Sequence, residues 1–432
     1  MDIQRWYHLL TINVFWFGVS FMWNALHPIV LPMLLLSFIG EKAKNTHYGM
    51  ITFAGLVVAL LVQPLSGAMS DFTRHRLGRR RPWIIAGSLL NIVWLIGLIV
   101  ARNYWVIAGS YILLQFTSNL GHGPAQGIIP DIVPREQRGI AAGAKGLMEM
   151  MGTIAAAVLA GRIVGAAFAQ PGGMIGIIIA VILVVLAITW RGVKETPLQD
   201  DAAPTRFTME WARAVLRIDI RNNRAYARLL LVRFCVLLGT YSVQSFGFYY
   251  FSDVHQVESP ARVVGNLMTA IAISILVAAY PAGVLSQRWG RKKLSIMALI
   301  LVGTGMSLLA FTGNMAGLWI LGCIIGIGMG VFSCVNWAWA TDLVPAAEAG
   351  KYLGFSNLAT AGSAAASRLM GPIIDLLNAW MPNSGYSALF VIATVGALIG
   401  LILTMGIPET AAPSDSIQVQ PSQQINPRHA EG

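Results

Sequence analysis

Twelve times along its 432 residues this chain runs apolar for roughly the 20 residues that a helix needs to cross about 30 Å of hydrocarbon. The runs lie at about 9–38, 49–69, 83–101, 104–129, 140–161, 174–190, 229–251, 263–285, 294–312, 316–340, 352–377 and 385–407. Lipid offers no partners to backbone N–H and C=O groups, so segments of this kind satisfy their own hydrogen bonds as helices. Hydrophobic residues make up 56% of the chain and charged ones 11%, against about 25% charged in soluble domains. The sequence therefore predicts an all-α membrane protein with twelve transmembrane helices. The first run, Leu9 to Phe38, is longer than the roughly 7–15 residues of a cleaved signal core and reads as a retained helix. Cys235, Cys323 and Cys334 all fall inside apolar runs, in a number and spacing that make neither a disulfide framework nor a metal motif.

Charge orients the chain. The stretch Ser70 to Pro82, "SDFTRHRLGRRRP", carries five arginines between two apolar runs. With even parity both ends share one side, and that side holds 22 of the 30 Lys and Arg residues, whereas the other holds 5. This bias places both termini in the cytoplasm, in a plasma or bacterial inner membrane. The net charge of +11 is then mainly a topology signal and an attraction to anionic lipid, not a footprint on nucleic acid.

The chain divides into residues 1–190, a first six-helix bundle; 191–228, a cytoplasmic linker with a basic amphipathic stretch from Trp211; 229–410, a second six-helix bundle; and 411–432, a polar tail rich in Ser, Gln and Pro that is expected to be disordered. The halves repeat. Gly67, Ser70 and Asp71 followed by Gly78, Arg79, Arg80 and Arg81 are echoed by Gly283, Ser286 and Gln287 followed by Gly290, Arg291, Lys292 and Lys293. Asp131, Pro134, Gly139 and Gly143 match Asp342, Pro345, Gly350 and Gly354 at one offset of 211 residues. Internal repeats flanking a central site are an architecture of secondary transporters.

Gly-x-x-x-Asp followed by Gly-Arg-Arg between helices 2 and 3 resembles the signature loop of the major facilitator superfamily. Here six residues separate Asp71 from Gly78, an expanded form similar to that of the sucrose/proton symporters, near the glycoside–pentoside–hexuronide:cation symporters. Asn119, then Gly123-Pro124 and Asp131, resembles the same branch. Two residues depart from it: Gln115 stands where the plant symporters' helix-4 carboxylate would align, and Phe72 follows Asp71 where a basic residue is usual. The resemblance implies the major facilitator fold, two pseudo-repeated six-helix bundles, and a loop that latches the outward-open state through Gly67, Asp71, Gly78 and Arg79 to Arg81, with Asp131, Arg138 and Asp342 in related positions. The residue types agree: glycine allows close helix approach, and a carboxylate can pair with a loop arginine or cap a helix. Topology anchoring alone accounts for the arginines equally well, though less well for Asp71.

Polar residues in membrane helices need a partner or a wet cavity. Helix 1 carries Asn13, Trp16, Ser20, Trp23, Asn24 and His27 on one broad face; helix 4 carries Gln115, Asn119, His122 and Gln126; helix 7 carries Thr240, Tyr241, Gln244 and Phe248; helix 10 carries Ser333, Asn336 and Trp337. By the resemblance these four helices line the central cavity. Amides and imidazoles that bond hydroxyls, beside indoles that cover C–H faces, suit a neutral polyhydroxylated solute. Interhelical bridging is the alternative for any single residue.

Lys145 and Glu149 lie ~9 Å and ~15 Å along their helix from Gly139, at i and i+4 on one face. Either they neutralise each other as a structural pair, or Glu149 carries the coupling proton with Lys145 tuning it. Arg368 could hold an anionic substrate or pair with Asp375, and Arg233, near a helix end, is expected to snorkel to the surface. The sequence has no Walker loop, HExxH, Gly-x-Ser-x-Gly or Cys/His metal spacing, so neither an enzyme nor a cofactor is expected. The leading reading is a secondary active transporter, a proton- or cation-coupled symporter of a sugar or glycoside. An exporter of amphipathic compounds and a non-transporting receptor or pigment-assembly relative are the alternatives.

Overall fold

The computed structural model describes residues 5–39, 41–163, 171–193, 195, 223–344 and 349–409. Helix α1 spans Trp6–Leu36, with a π-turn at Leu26–Val30. It is followed by α2 (Lys44–Asp71), α3 (Arg81–Ile99), α4 (Tyr104–Gln126), α5 (Arg138–Ile163) and α6 (Pro171–Gly192). After residue 222 come α7 (Arg224–Asp253), α8 (Pro260–Trp289), α9 (Arg291–Leu309), α10 (Met315–Leu343), α11 (Ala349–Arg368, continued by Met370–Trp380) and α12 (Ser384–Met405). Ten are long and apolar enough to cross a membrane. The other two are α4, whose apolar run is interrupted by its polar stripe, and α11, which breaks at Leu369.

Local chemistry sets several starts. Asn103, Asn223 and Asn314 precede α4, α7 and α10, and each side-chain carbonyl accepts an N–H of the first turn, from Val106, Tyr226 and Gly317 at 3.0, 3.3 and 2.6 Å. Such caps satisfy donors that no intrahelical carbonyl reaches. The α7 cap lies before the apolar run, so α7 begins at Arg224, inside the stretch read as linker. Residues 194 and 196–222 of that linker, including Trp211, and the tail from 411 lie outside the described residues, with Pro345.

Within the first six helices α1 packs on α5 and α6, α2 on α4, and α3 on α4 and α6; within the last six α7 packs on α11 and α12, α8 on α10, and α9 on α10 and α12. Between the groups, α5 packs on α8 and α2 on α11. Helices α3 and α12 turn Leu89, Val93 and Ile96, and Leu398, Ile402 and Met405, outward, apolar stripes suited to lipid. The close approach expected at Gly67 is enforced by the residue opposite. A Cβ on Gly123 would meet the Gln63 carbonyl and come within 2.8 Å of the Gly67 nitrogen, whereas one on Gly67 would sit in ordinary contact at 3.7 Å.

The hydrogen bonds and ion pair described between the two groups gather at the end opposite the arginine-rich loop. There Lys44 meets Asp253, Asp375 accepts from Asn45 and Thr46, Asn45 donates to Tyr386, and Tyr249 donates to the Pro32 carbonyl. At the arginine-rich end the described polar contacts stay within one group.

Candidate functional site

Four polar clusters stand in the interior. On α1 and α4, His27 Nε2 and Tyr111 Oη are 2.8 Å apart, Gln115 donates to the same Tyr111 oxygen at 2.7 Å, and Asn119 donates to the Gln115 backbone carbonyl at 2.8 Å. Trp23 stacks on His27 with ring centres 4.7 Å apart. One turn nearer the arginine-rich end, Asn24 donates to Thr153 of α5 at 3.1 Å. Gln115 and Asn119 are buried and bonded to each other's helix turn, so interhelical and intrahelical bonding already employs part of this stripe.

The second cluster joins α1, α4 and α5. Trp16 meets His122 edge to face at 4.8 Å, Lys145 Nζ lies 3.8 Å from the centre of the Trp16 ring, and Glu149 is 3.6 Å from Lys145. Lys145 is thus held by an indole face as well as by a carboxylate. The pair is only partly buried, with side chains 29% and 40% exposed.

The third cluster corrects an expectation. Arg233 does not snorkel; it turns inward from α7, donating to Thr360 of α11 at 2.8 Å and to Asn336 of α10 at 2.9 Å, above the Trp337 ring. These neighbours outbid the helix end because they bond the guanidinium and cover its flat face together. In the fourth, Arg368 donates to Tyr48 of α2 at 3.0 Å, and Tyr48 donates to the His27 carbonyl at 2.8 Å. Arg368 forms no ion pair with Asp375, which is occupied by Asn45 and Thr46.

Tyr241, Gln244, Thr240 and Ser333 line a cavity of about 330 Å³ between α7, α8 and α10, to which α5 contributes Thr153. Most of its wall is apolar, including Leu267, Met268, Ile271 and Met329. Phe248 is buried away from it, and Gln126 is exposed at the end of α4.

The loop residues form a network of their own. Arg80, 7% exposed, pairs with Asp131 at 2.9 Å and Asp71 at 2.5 Å and donates to Ser70 and the Gly67 carbonyl. Arg79 pairs with Asp131, and Arg81 donates to the Trp190 carbonyl while lying over its ring. Arg138 caps the Val133 and Pro130 carbonyls instead of joining these carboxylates. Gly78 has φ +98°, where a Cβ would strike Glu195. Burial pushes the Glu195 carboxyl up, although it accepts the Arg80 N–H at 2.8 Å. In the second repeat Arg291 reproduces Arg80, pairing with Asp342 and donating to Ser286, and Gly290 has φ +90°. Gln287 stands where Asp71 does, so the repeat keeps the arginine and drops one carboxylate.

Sequence reasoning missed Tyr48, Tyr111, Lys44, Asp253 and Tyr386. Tyrosines read as apolar in a membrane helix, and Lys44 and Asp253 lie just outside the runs as drawn from hydropathy.

The family model of the Major Facilitator Superfamily matches residues 9–367 and 256–427, and the chain belongs to that family. It is an integral, multi-pass membrane protein with the all-α fold of that family. The chain is 27% identical over 144 residues to the mouse "Proton-associated sugar transporter A", a match that takes in 30% of this chain and 19% of that protein. It is 21% identical over 335 residues to the "Multi-drug resistance efflux pump PmrA homolog" of Lactococcus lactis, covering 74% of this chain and 76% of the other. Among solved structures, a bacterial homolog of the human lysosomal transporter Spinster, in an inward-facing and unoccupied conformation, superposes with a TM-score of 0.70 at 13% identity, over 93% of this chain and 96% of that one.

Proposed function

We propose that this protein is a proton-coupled symporter of a sugar or glycoside that works by alternating access, with both termini in the cytoplasm. The observation that carries the reading is the placement of the polar clusters: amides, imidazoles and indoles from α1, α4, α7 and α10 lie in the interior between helix groups whose polar ties, among the described residues, gather at one end. Such groups can hydrogen-bond hydroxyls and cover C–H faces. A carrier whose two groups are joined at one end is one of the two states that alternating access requires. The similarity to a proton-associated sugar transporter supports the solute and the coupling ion. Glu149, partly exposed beside Lys145, is the candidate proton carrier, and the loop of Asp71 and Arg79 to Arg81 the candidate latch.

A second reading rests on a specific feature. The cavity beside Tyr241 and Gln244 is largely walled by Leu, Ile and Met, which suits an amphipathic compound, and the efflux-pump homolog matches over most of both chains. Proteoliposomes with an internal pH dye separate the two. Acidification on adding a sugar supports the symporter; proton movement driven only by lipophilic drugs supports the exporter; no solute-driven movement of either kind overturns both.

A further inference from the structure

The interior holds more positive charge than the described residues neutralise. Lys145 has Glu149, but neither Arg233 nor Arg368 has a carboxylate within ion-pair distance among the described residues. Among the described residues their hydrogen-bond partners are a threonine, an amide and a tyrosine. Arg368 is 8% exposed, and its Nε is buried without a hydrogen-bond partner. Asn336, which bonds Arg233 through its oxygen, also has a buried amide nitrogen without a partner. A buried cation left without a counterion is costly, more so at membrane depth. Protein stability alone does not account for keeping Arg368 buried, or Arg233 half-buried, without a carboxylate.

Their placement indicates what completes them. Arg233 bonds Thr360, and Arg368 lies eight residues further along the same helix α11, a rise of roughly 12 Å. Arg368 bonds Tyr48, which bonds the His27 carbonyl of α1, and Arg233 bonds Asn336 beside the Trp337 ring of α10. Both groups therefore face the region that carries the sugar-like polar stripes. A guanidinium presents a planar fork of N–H donors that matches a carboxylate through two parallel bonds, which a hydroxyl cannot reproduce.

We propose that the solute carries a carboxylate, that Arg368 receives it, and that Arg233 with Asn336 and Trp337 holds the other end, so that the substrate class is a sugar acid or acidic glycoside rather than a neutral sugar. This rests on the transport reading given above for the same site. The Nε of Arg368, which lacks a partner, donates to the carboxylate, the Tyr48 hydroxyl, whose proton goes to the His27 carbonyl, holds the guanidinium in place, and the Trp337 face covers the ring. The field of Arg233 raises the on-rate for an anion entering from the arginine-rich end.

Tryptophan-fluorescence titration of the purified full chain with glucose, glucuronate and cyclohexanecarboxylate tests this directly. Glucuronate is expected to bind about tenfold or more tightly than glucose, and Arg368→Gln to abolish that preference while leaving the ligand-free melting temperature unchanged or higher. Arg368→Lys should retain part of it. Equal affinity for glucose and glucuronate, or a preference that survives Arg368→Gln, overturns the anionic class and leaves the sugar reading standing. Binding of cyclohexanecarboxylate as tight as glucuronate keeps the anion site and overturns the sugar. A fall in the melting temperature of both ligand-free Arg368 variants assigns the arginine to the fold and overturns the proposal, and binding of none of the three compounds overturns both readings.

Discussion

Lys44 Nζ lies 2.6 Å from Asp253 Oδ1, joining the first turn of α2 to the last turn of α7, and Tyr386 of α12 donates to the other Asp253 oxygen at 2.6 Å. Lys44 is 2% exposed, so this is a cross-group contact made by a desolvated charge. Removing one partner of such a pair costs on the order of 3 kcal/mol because the other is stranded. That cost falls only on the arrangement in which this end is shut.

Asp253→Asn should therefore shift the population toward opening at this end. Spin labels at Glu41→Cys and Glu258→Cys, in a background lacking Cys235, Cys323 and Cys334, should report a longer distance in the variant. An unchanged distance distribution would show that the pair does not hold the end shut.

Glu149→Gln tests coupling. If Glu149 exchanges the coupling proton, the variant holds a neutral carrier: exchange of internal for external solute persists, and proton-driven accumulation is lost. If it only balances Lys145, both activities and protein level fall together and Lys145→Met restores them, which would end the coupling assignment. The Trp16 face beneath Lys145 supplies some of the stabilisation that Glu149 would otherwise provide alone, so expression of Glu149→Gln should stay near that of the parent.

Asp71→Asn separates latch from scaffold. Asp71 is 46% exposed, and such pairs contribute about 1 kcal/mol or less; Arg80 keeps Asp131, Ser70 and the Gly67 carbonyl in its absence. Protein level and melting temperature should hold while uptake falls. Arg80→Ala removes every one of those bonds and should lower both. Full uptake by Asp71→Asn would reduce the loop to a membrane anchor.

Gly123→Ala should cost about 1–3 kcal/mol by overpacking, because the new methyl meets α2 backbone, whereas Gly67→Ala should be tolerated. Thermal unfolding in detergent ranks the two. The opposite order would mean that α2 and α4 part more easily than their contact implies.

The membrane character, the repeat and the loop were legible because each depends on local sequence: apolar runs fix helices, and the 211-residue offset pairs Asp131 with Asp342, which the structure shows each holding an arginine. The closed end was not legible. Lys44, Asp253 and Asp375 are far apart in sequence and meet only when the two groups pack. Arg233 was misread for a related reason: snorkelling is judged from distance to a helix end, and the competing partners Thr360 and Asn336 come from other helices. The stripes told which residues are polar, not which of them, like Gln115 and Asn119, spend their bonds on their own helix.

The π-turn at Leu26–Val30 takes in His27, the last residue of the polar stripe of α1, and leads into the outer segment, where Leu31, Leu34 and Leu35 are buried. A turn of this kind holds one residue more than an α-turn and rotates everything beyond it by about 100°. The helix thus has a joint at which a single codon can be lost without unwinding either side. Such a loss would re-aim the outer segment while leaving the stripe from Trp16 to Asn24 untouched, so the polar part of α1 and the apolar part beyond the joint can diverge along separate evolutionary paths.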